Sequence, residues 1–285
     1  MPPSHPRLWI VATPLGEVTD LSLRAREVLA SCDCILAEDT RRAQRLLAAC
    51  GLPKRPMLSF FEHNEEEREA EVLDRLRAGQ DVALISDAGT PLLSDPGYHL
   101  VRTCRRLGIP VSPVPGPSAP VCALSAAGLP PLPYSFLGFL PRDAAGKRRL
   151  FTAFATTPGT LIFFERGDRL PESLAQAAAI LGARELAVCR ELTKLHEEFI
   201  LTRLEAAALP SPLLGELTVL IGPAEARSRT PKAEVLAELV RARESGGRAR
   251  EVIRRLQETV SGWSGKELYA LLRENTEAEQ LSAKD

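Results

Sequence analysis

Short apolar segments alternate along this chain with segments of helical periodicity. The apolar segments cover residues 8–12, 34–37, 82–85, 110–114, 135–140, 161–164, 186–189 and 217–221. Runs of this length fit β-strands, and between them apolar residues recur every three or four positions, as at Leu21, Ala25 and Val28. Strands that alternate with helices predict an α/β fold with largely parallel strand pairing.

The pattern changes near the C-terminus. Residues 225–231 are polar and lack apolar periodicity, and from residue 232 only helical patterns occur. We therefore expect α/β domains over residues 1–120 and 121–224, a linker over 225–231, and a helical RNA-contacting domain with a frayed tail over 232–285. Glycine and three prolines in residues 126–133 are typical of a domain junction. Ser264 and Glu267 predict a capping box at the last helix, and Trp263 and Tyr269 are expected to anchor its core.

Composition narrows the class of protein. The chain has 285 residues, 45% of them hydrophobic, and a formal net charge of −1. Its six cysteines form no C-x-x-C pair, which argues against structural zinc and favours reduced thiols. No leader pattern or membrane-length apolar run occurs, so we expect a soluble, cytoplasmic protein without a metal. Because no net positive charge is present, any contact with nucleic acid must use local basic clusters.

The loop after the apolar run 82–85 carries the first chemical signal. Ser86-Asp87-Ala88-Gly89-Thr90-Pro91 places a carboxylate at the carboxyl end of a predicted strand. Ligands of open α/β sheets bind at that edge. Asp95 is expected to cap the next helix, with Pro96 at its first position.

Two other predicted strands end in similar loops, at residues 13–16 and 115–119. Each loop taken alone fits an ordinary βα turn. If the strands are neighbours, the three loops converge on one crevice that suits a compact organic ligand. The glycine signatures of dinucleotide and triphosphate sites are absent, which disfavours those ligands.

A longer series of motifs resembles a known family. It comprises Thr13-Pro14-Leu15-Gly16, Ala37-Glu38-Asp39-Thr40-Arg41, Ser86 to Pro91, Asp95-Pro96-Gly97-Tyr98, Pro115-Gly116-Pro117-Ser118, Ser125 to Pro130, Gly138-Phe139-Leu140-Pro141 and Arg190-Glu191-Leu192-Thr193-Lys194. In this order and spacing the motifs resemble the tetrapyrrole-methylase superfamily, and within it the small-subunit ribosomal RNA methyltransferases of type I. That resemblance implies methyl transfer from S-adenosylmethionine to the ribose 2′-hydroxyl of a cytidine in 16S ribosomal RNA.

The resemblance also implies an architecture and a set of cofactor contacts. It implies two unequal α/β domains with S-adenosylmethionine in the cleft between them, and a homodimer that acts on the small ribosomal subunit or its RNA. The residues assigned to the cofactor are Pro14, Leu15, Gly16, Asp87, Ala88, Gly89, Thr90, Asp95, Gly116, Ser118, Ala119, Phe139, Leu140, Pro141, Glu216 and Leu217. Backbone amides at a helix start suit the cofactor's carboxylate, and carboxylates such as Asp87 suit its sulfonium.

The residues that handle the ribose are harder to assign. Glu191 or a desolvated Lys194 is a hypothetical proton acceptor, while Arg41 and Arg190 would hold the RNA backbone. Ordinary surface ion pairs explain each of these residues equally well. The clusters with cations for RNA are residues 41–45, 142–149, 166–169 and 248–255.

Two alternatives remain open at this point. One keeps the cofactor but takes a tetrapyrrole or a modified histidine as the methyl acceptor. The other is a non-catalytic RNA-binding factor in ribosome assembly, which would bind RNA without transferring a methyl group.

Overall fold

The protein is described by a computed structural model over residues 6–61, 63–207, 209–210, 213, 215–224 and 230–282, with side chains described up to residue 275. The chain forms two compact units, Met1–Ala224 and Glu225–Asp285. The predicted boundary between residues 120 and 121, and the predicted bounds of the linker at residues 225–231, remain predictions.

The first half of unit 1 is a parallel sheet covered on both faces. Its strands are β1 (Leu8–Val11), β2 (Cys34–Ala37), β3 (Met57–Ser59), β4 (Val82–Ile85) and β5 (Val111–Val114). Their order is β3-β2-β4-β1-β5, with every pair parallel. The helices are α1 (Leu23–Ser31), α2 (Thr40–Ala49), α3 (Glu65–Arg77) and α4 (Tyr98–Arg106).

Side-chain alternation along the strands assigns these helices to opposite faces. Trp9 and Val11 of β1 pack in one apolar cluster with α1 and α2, whereas Leu8 packs with α3 and α4. Because all five strands run in the same direction, their carboxyl ends share one edge of the sheet. The loops that follow β1, β2 and β4 are thereby brought to that edge.

The second half of unit 1 has a mixed sheet. It contains α5 (Ala119–Ala126), β6 (Tyr134–Phe139), α6 (Ala144–Phe154), β7 (Thr160–Arg166), α7 (Leu170–Leu181), β8 (Glu185–Arg190), β9 (Glu198–Arg203) and β10 (Glu216–Ile221). The strand order is β6-β7-β10-β8-β9. One face packs on α6 and α7, and the other packs on α5 and Leu15, so the two halves share an apolar cluster.

Largely parallel pairing is wrong for this second sheet. Only β6 and β7 pair in parallel, while β7-β10, β10-β8 and β8-β9 are antiparallel. A parallel connection needs about a dozen residues or more, and only residues 191–197 separate β8 from β9. Apolar runs did not predict two of the strands. These are β3, whose three residues are half-buried, and β9, which lies at the edge of its sheet.

Over its described residues, 230–282, unit 2 has three helices, α8 (Lys232–Glu244), α9 (Ala249–Thr259) and α10 (Gly265–Ser282). They enclose a core that includes Leu239, Leu256 and Leu268. The capping box is confirmed, since Glu267 N donates to Ser264 Oγ at 3.2 Å and Glu267 Oε2 accepts from Ser264 N at 2.7 Å.

The two aromatic side chains of unit 2 differ. Trp263 packs against the core and donates its ring N–H to the carbonyl of Thr230 at 2.8 Å. Tyr269 is 40% exposed, so its assignment to the core was wrong. Across the described residues of both units, no helix is long and apolar enough to cross a lipid bilayer.

Substitution of the glycine directly before β7 is a test of the packing of the second sheet. Gly159 has φ +113, and a Cβ at this position would overlap the carbonyl of Pro133. Gly159→Ala should therefore lower the free energy of unfolding by about 3 kcal/mol or more. Gly182→Ala is the matched control, because Gly182 has φ +74 but nothing within 4 Å of the added Cβ. Backbone strain alone should cost about 1–3 kcal/mol in chemical denaturation, so Gly159→Ala should cost more than Gly182→Ala, and equal losses would contradict the packing argument.

Candidate active site

A cleft of about 1370 Å³ opens at the carboxyl edge of the first sheet and is closed on its other side by the second sheet. Small-molecule sites commonly span about 300–1,000 Å³, so this cleft has room for more than one reactant. The predicted site residues that line it are Leu15, Asp87, Ala88, Gly89, Thr90, Asp95, Ser118, Ala119, Phe139, Glu191, Lys194, Glu216 and Leu217.

The loop after β4 forms the first wall. Thr13 and Gly89 exchange two backbone hydrogen bonds, of 2.8 and 3.0 Å, which tie this loop to the end of β1. The Thr90 hydroxyl donates to the carbonyl of Pro117 at 2.9 Å and ties the loop to the end of β5. The loop is thus fixed before any ligand arrives. Its Asp87 carboxylate accepts a hydrogen bond from Arg42 at 2.7 Å.

The start of α5 faces the same cleft. Ser118 is the N-cap residue but makes no side-chain capping bond, and Pro120 follows within the first turn. The leading amide groups of a helix lack intrahelical partners and carry partial positive charge. This wall therefore suits a carboxylate of a ligand.

The second sheet contributes an apolar wall. The rings of Phe139 and Phe164 lie 5.2 Å apart at the cleft, beside Leu217. Arg169 holds the end of β6 in place, since it donates to the carbonyl of Pro141 at 2.9 Å and pairs with the fully buried Glu165. A flat aromatic group of a ligand would find apolar contacts here.

Backbone strain is concentrated around the cleft. Within the described residues, positive φ occurs at four non-glycine positions: Leu92, Ser94, Glu191 and Thr193, with values of 71°, 73°, 52° and 62°. Two of these lie in the loop that leads to Asp95, and two lie in the loop after β8. Such conformations cost about 1–3 kcal/mol each and cluster at functional sites.

Carboxylates give the cleft its electrostatic character. Burial, together with the negative charges of Glu38, Asp87 and Glu216, raises the pKa of Asp95 to about 7, against the opposing effect of the Ser86 hydroxyl. Burial also raises the pKa of Glu38, reinforced by Asp87. A cluster of negative charge stabilises a cationic ligand.

Asp95 does not cap a helix, which corrects the sequence prediction. The N-cap residue of α4 is Gly97, with φ 119°, and the helix begins at Tyr98. Asp95 and Pro96 precede it and both line the cleft.

Several predicted cofactor residues lie outside the cleft lining: Pro14, Gly16, Gly116, Leu140 and Pro141. Gly16 packs against Lys194 and Leu192, where a Cβ would overlap the lysine side chain. Gly116 packs on Ala12, with only 2.9 Å between an added Cβ and that residue's Cβ. These glycines allow the loops to pack closely, and their predicted contacts with the cofactor stay predictions.

Of the four predicted catalytic residues, two line the cleft and two do not. Glu191 and Lys194 line the cleft as an ion pair of 3.2 Å. The Lys194 side chain is 45% exposed, so the predicted desolvation is absent. Arg41 lies exposed in the first turn of α2, and Arg190 pairs with Glu198, both outside the cleft lining.

The predicted basic clusters are also partly engaged within the fold. Lys147 is fully buried and pairs with Glu172 at 3.3 Å, so it is unavailable to RNA. Arg166 pairs with Asp168, and Arg169 bonds to backbone carbonyls. The sequence showed the charges but not their partners.

Other residues that line the cleft were not predicted as site residues, notably Glu65 and His99, while Tyr98 was noted only as part of a motif. Glu65 follows β3, so recognition of that short strand would have placed it at the carboxyl edge. Burial raises the pKa of Cys189 to about 12, which keeps this cleft thiol protonated. Among the residues that the structure describes, no group of His, Cys, Asp or Glu is arranged to hold a metal ion.

Comparison with known proteins agrees with this geometry. Residues 7–208 match the profile of the tetrapyrrole (corrin/porphyrin) methylases. Over 235 residues the chain is 46% identical to the ribosomal RNA small subunit methyltransferase I of Mesorhizobium japonicum, covering 80% of this chain and 79% of that protein. The chain belongs to the ribosomal RNA small subunit methyltransferase I family of tetrapyrrole methylases.

A second member, from Micromonospora olivasterospora, is 41% identical over 264 residues, which cover 90% of this chain and 84% of that protein. The member from Thermotoga maritima is 43% identical, and the match covers 75% of this chain but 97% of that relative. A family member can therefore be about one fifth shorter than this chain.

Solved structures show the same fold at low sequence identity. The methyltransferase CobJ aligns with a TM-score of 0.62 and 17% identity, over 79% of this chain and 98% of that one. A uroporphyrin-III C-methyltransferase from Thermus thermophilus, complexed with S-adenosyl homocysteine, aligns with a TM-score of 0.54 and 21% identity, over 76% and 97%.

Proposed function

We propose that this protein transfers a methyl group from S-adenosylmethionine to the ribose 2′-hydroxyl of a cytidine in small-subunit (16S) ribosomal RNA. Family membership supports the reaction class, and the observation that carries the proposal is the acidic, partly apolar cleft at the carboxyl edge of the first sheet. We further propose that the protein acts in the cytoplasm as a homodimer, on the small subunit or its RNA.

The cleft's donors and acceptors fit S-adenosylmethionine. Amide groups at the start of α5, with Ser118 and Ala119, suit the cofactor's carboxylate. Asp87 and its neighbouring carboxylates suit the ammonium and sulfonium cations. The wall of Phe139, Phe164 and Leu217 suits the adenine ring.

When bound, the cofactor supplies an electrophilic methyl group on a positively charged sulfur. The chain must then hold the ribose hydroxyl in line with that methyl group and remove its proton, and positioning alone supplies much of such a rate enhancement. The loop that contains Gly89 and Thr90 is suited to this positioning role, because hydrogen bonds to Thr13 and Pro117 hold it in place.

We infer that Asp95 accepts the proton of the 2′-hydroxyl. It lines the cleft on a strained loop, and its pKa near 7 matches the value that suits a general base at neutral pH. Glu191 is a weaker candidate because its carboxylate is already engaged by the Lys194 ammonium, 3.2 Å away.

Unit 2 offers a basic surface for RNA. Val252, Ile253 and Leu256 of α9 are buried, which leaves Arg250 and Arg254 exposed, one turn apart, at a pocket also lined by Tyr269. We propose that these arginines contact phosphates, together with Arg41 and Arg190 of unit 1.

The double variant Arg250→Glu and Arg254→Glu should weaken binding to small subunits by about tenfold or more. The slope of log affinity against log salt should flatten by about two, one unit for each lost phosphate contact. Affinity for S-adenosyl homocysteine should stay unchanged. Arg77→Glu with Arg106→Glu makes the same charge change at exposed arginines outside the proposed RNA clusters. Equal weakening by both double variants would mean that net charge, and not this surface, governs binding.

The proposed function is tested by incubating the protein with labelled S-adenosylmethionine and small ribosomal subunits that lack the modification. Label on the subunit RNA supports the proposal. Label on a porphyrinoid but never on RNA would favour the tetrapyrrole alternative, and RNA binding without methyl transfer would favour the assembly factor.

A further inference from the structure

Glu65 is a buried acid whose carboxylate is incompletely satisfied. It is the first residue of α3, its side chain is only 8% exposed, and it lines the cleft. Its Oε1 is buried, and no described residue donates a hydrogen bond to it. Buried polar atoms are nearly always hydrogen-bonded, so an exception in a binding cleft points to a ligand.

Asn64 and Arg68, which flank Glu65 along the chain, are engaged with other groups. The Asn64 side chain accepts from the Phe61 amide at 2.8 Å and donates to the carbonyl of Ser59 at 2.9 Å. Arg68, one turn along α3, pairs with Glu71 at 2.7 Å. The position at the start of α3 favours negative charge but supplies no direct bond to Oε1. Among the described residues no donor reaches Oε1, so a bound ligand can supply one.

We propose that Glu65 accepts a hydrogen bond from the exocyclic amino group of the target base and so selects cytosine over uracil. This inference rests on the proposed function and names the part of the cleft that reads the base. An ionised carboxylate can only accept hydrogen bonds. Cytosine presents an amino donor at C4, where uracil presents a carbonyl oxygen that a carboxylate repels.

The surroundings of Glu65 suit a nucleobase. Tyr98 and His99 at the start of α4 line the same cleft as Glu65, and the Tyr98 side chain is 57% exposed. Flat aromatic side chains stack on unpaired RNA bases. Enzymes that modify nucleotides take the target out of its helix, and the cleft volume of about 1370 Å³ leaves room for a base beside the cofactor.

Equilibrium binding of pentacytidylate and pentauridylate, measured by fluorescence anisotropy with S-adenosyl homocysteine present, tests the inference. The unaltered protein should prefer the cytidine oligomer by about tenfold or more. Glu65→Gln should bind both nearly equally, because a glutamine side chain can accept from the cytosine amino group or donate to the uracil carbonyl. Glu69→Gln removes the same charge from α3 outside the cleft and should keep the full preference.

A ligand-side measurement avoids dependence on the folding of the variant. Pentacytidylate with two methyl groups on each exocyclic nitrogen has lost the donor, so the unaltered protein should bind it as weakly as pentauridylate. Equal binding of the dimethylated and ordinary cytidine oligomers, or an undiminished preference in a folded Glu65→Gln variant, would overturn the inference.

The subunit methylation assay separates this inference from the proposed function. If the unaltered protein methylates cytidine but its base preference does not depend on Glu65, only the inference about Glu65 is overturned. If the base preference depends on Glu65 but no methyl group is transferred to the subunit, the proposed function is overturned. The assignment of Glu65 as the residue that selects the base then still holds.

Discussion

Asp95→Asn should lower the single-turnover rate of methyl transfer to the small subunit by roughly 10²–10⁴-fold, the usual contribution of a positioned base. Asparagine keeps the size of the side chain but cannot take a proton near neutral pH. Affinity for S-adenosyl homocysteine should change much less than the rate. Glu191→Gln, which alters the competing carboxylate, should cost less than about tenfold.

The pH dependence follows from the same residue. The carboxylate must be deprotonated to act, so the rate of the unaltered protein should rise with pH, with a midpoint at or below pH 7, and level off about one pH unit above that midpoint. The cationic cofactor favours the charged carboxylate and moves the midpoint downward from the value in the free protein. A rate for Asp95→Asn equal to that of the unaltered protein, with the same pH profile, would remove Asp95 from the mechanism.

The same variant should be more stable than the unaltered protein at high pH. Because the pKa of Asp95 is raised in the folded state, from 3.8 to about 7, the folded state binds more protons than the unfolded state between those values. Stability of the unaltered protein therefore falls as pH rises through this window. Since Asp95 is partly exposed, we expect a gain of about 1–3 kcal/mol for Asp95→Asn at pH 8 and little gain near pH 4. A purely structural carboxylate would instead make the variant less stable.

Asp87→Ala should weaken the binding of S-adenosylmethionine by about 10- to 100-fold. A hydrogen bond to a charged group contributes about 1.5–3 kcal/mol, and each 1.4 kcal/mol is tenfold in affinity. The residue lies on the fixed loop after β4 and its carboxylate is 25% exposed at the cleft. Calorimetric titration with the cofactor measures the loss.

The ion pair of Asp87 with Arg42 supplies the matched control. The two side chains lie 2.7 Å apart, and Arg42 is 61% exposed. If Asp87 acts on the cofactor directly, Arg42→Ala should bind the cofactor as tightly as the unaltered protein or more tightly, because a competing cation is gone. Equal losses in Asp87→Ala and Arg42→Ala would show that the ion pair, and not the carboxylate's contact with the cofactor, sets the affinity.

The parallel half of the fold was predictable because its strands are short, apolar and buried on both faces. That pattern located β1, β2, β4 and β5. It also placed Asp87 and Ser118 at strand ends, where parallel strands gather their loops. Strand direction in the second sheet was not predictable from apolar runs, because a run of this kind does not specify its partner.

The rest of the site depends on contacts between distant segments. Gly16 was predicted as a ligand contact, and nothing in the sequence indicated that it also makes room for Lys194 of the loop after β8. Lys147 was read as a surface cation, yet it is fully buried against Glu172. Glu65 lies at the start of α3, and only the packing of that helix against the sheet shows that the residue is buried. Sequence spacing contains none of these contacts.

Mass spectrometry of nucleosides from small ribosomal subunits tests the central claim most directly. Subunits lacking the modification are incubated with the protein and S-adenosylmethionine carrying a heavy methyl group, and the RNA is digested to nucleosides. The proposed function predicts the heavy methyl on the ribose of cytidine, at one position, and its loss with Asp95→Asn. Heavy methyl on a base, or none on the RNA of subunits that the protein nevertheless binds, would contradict it.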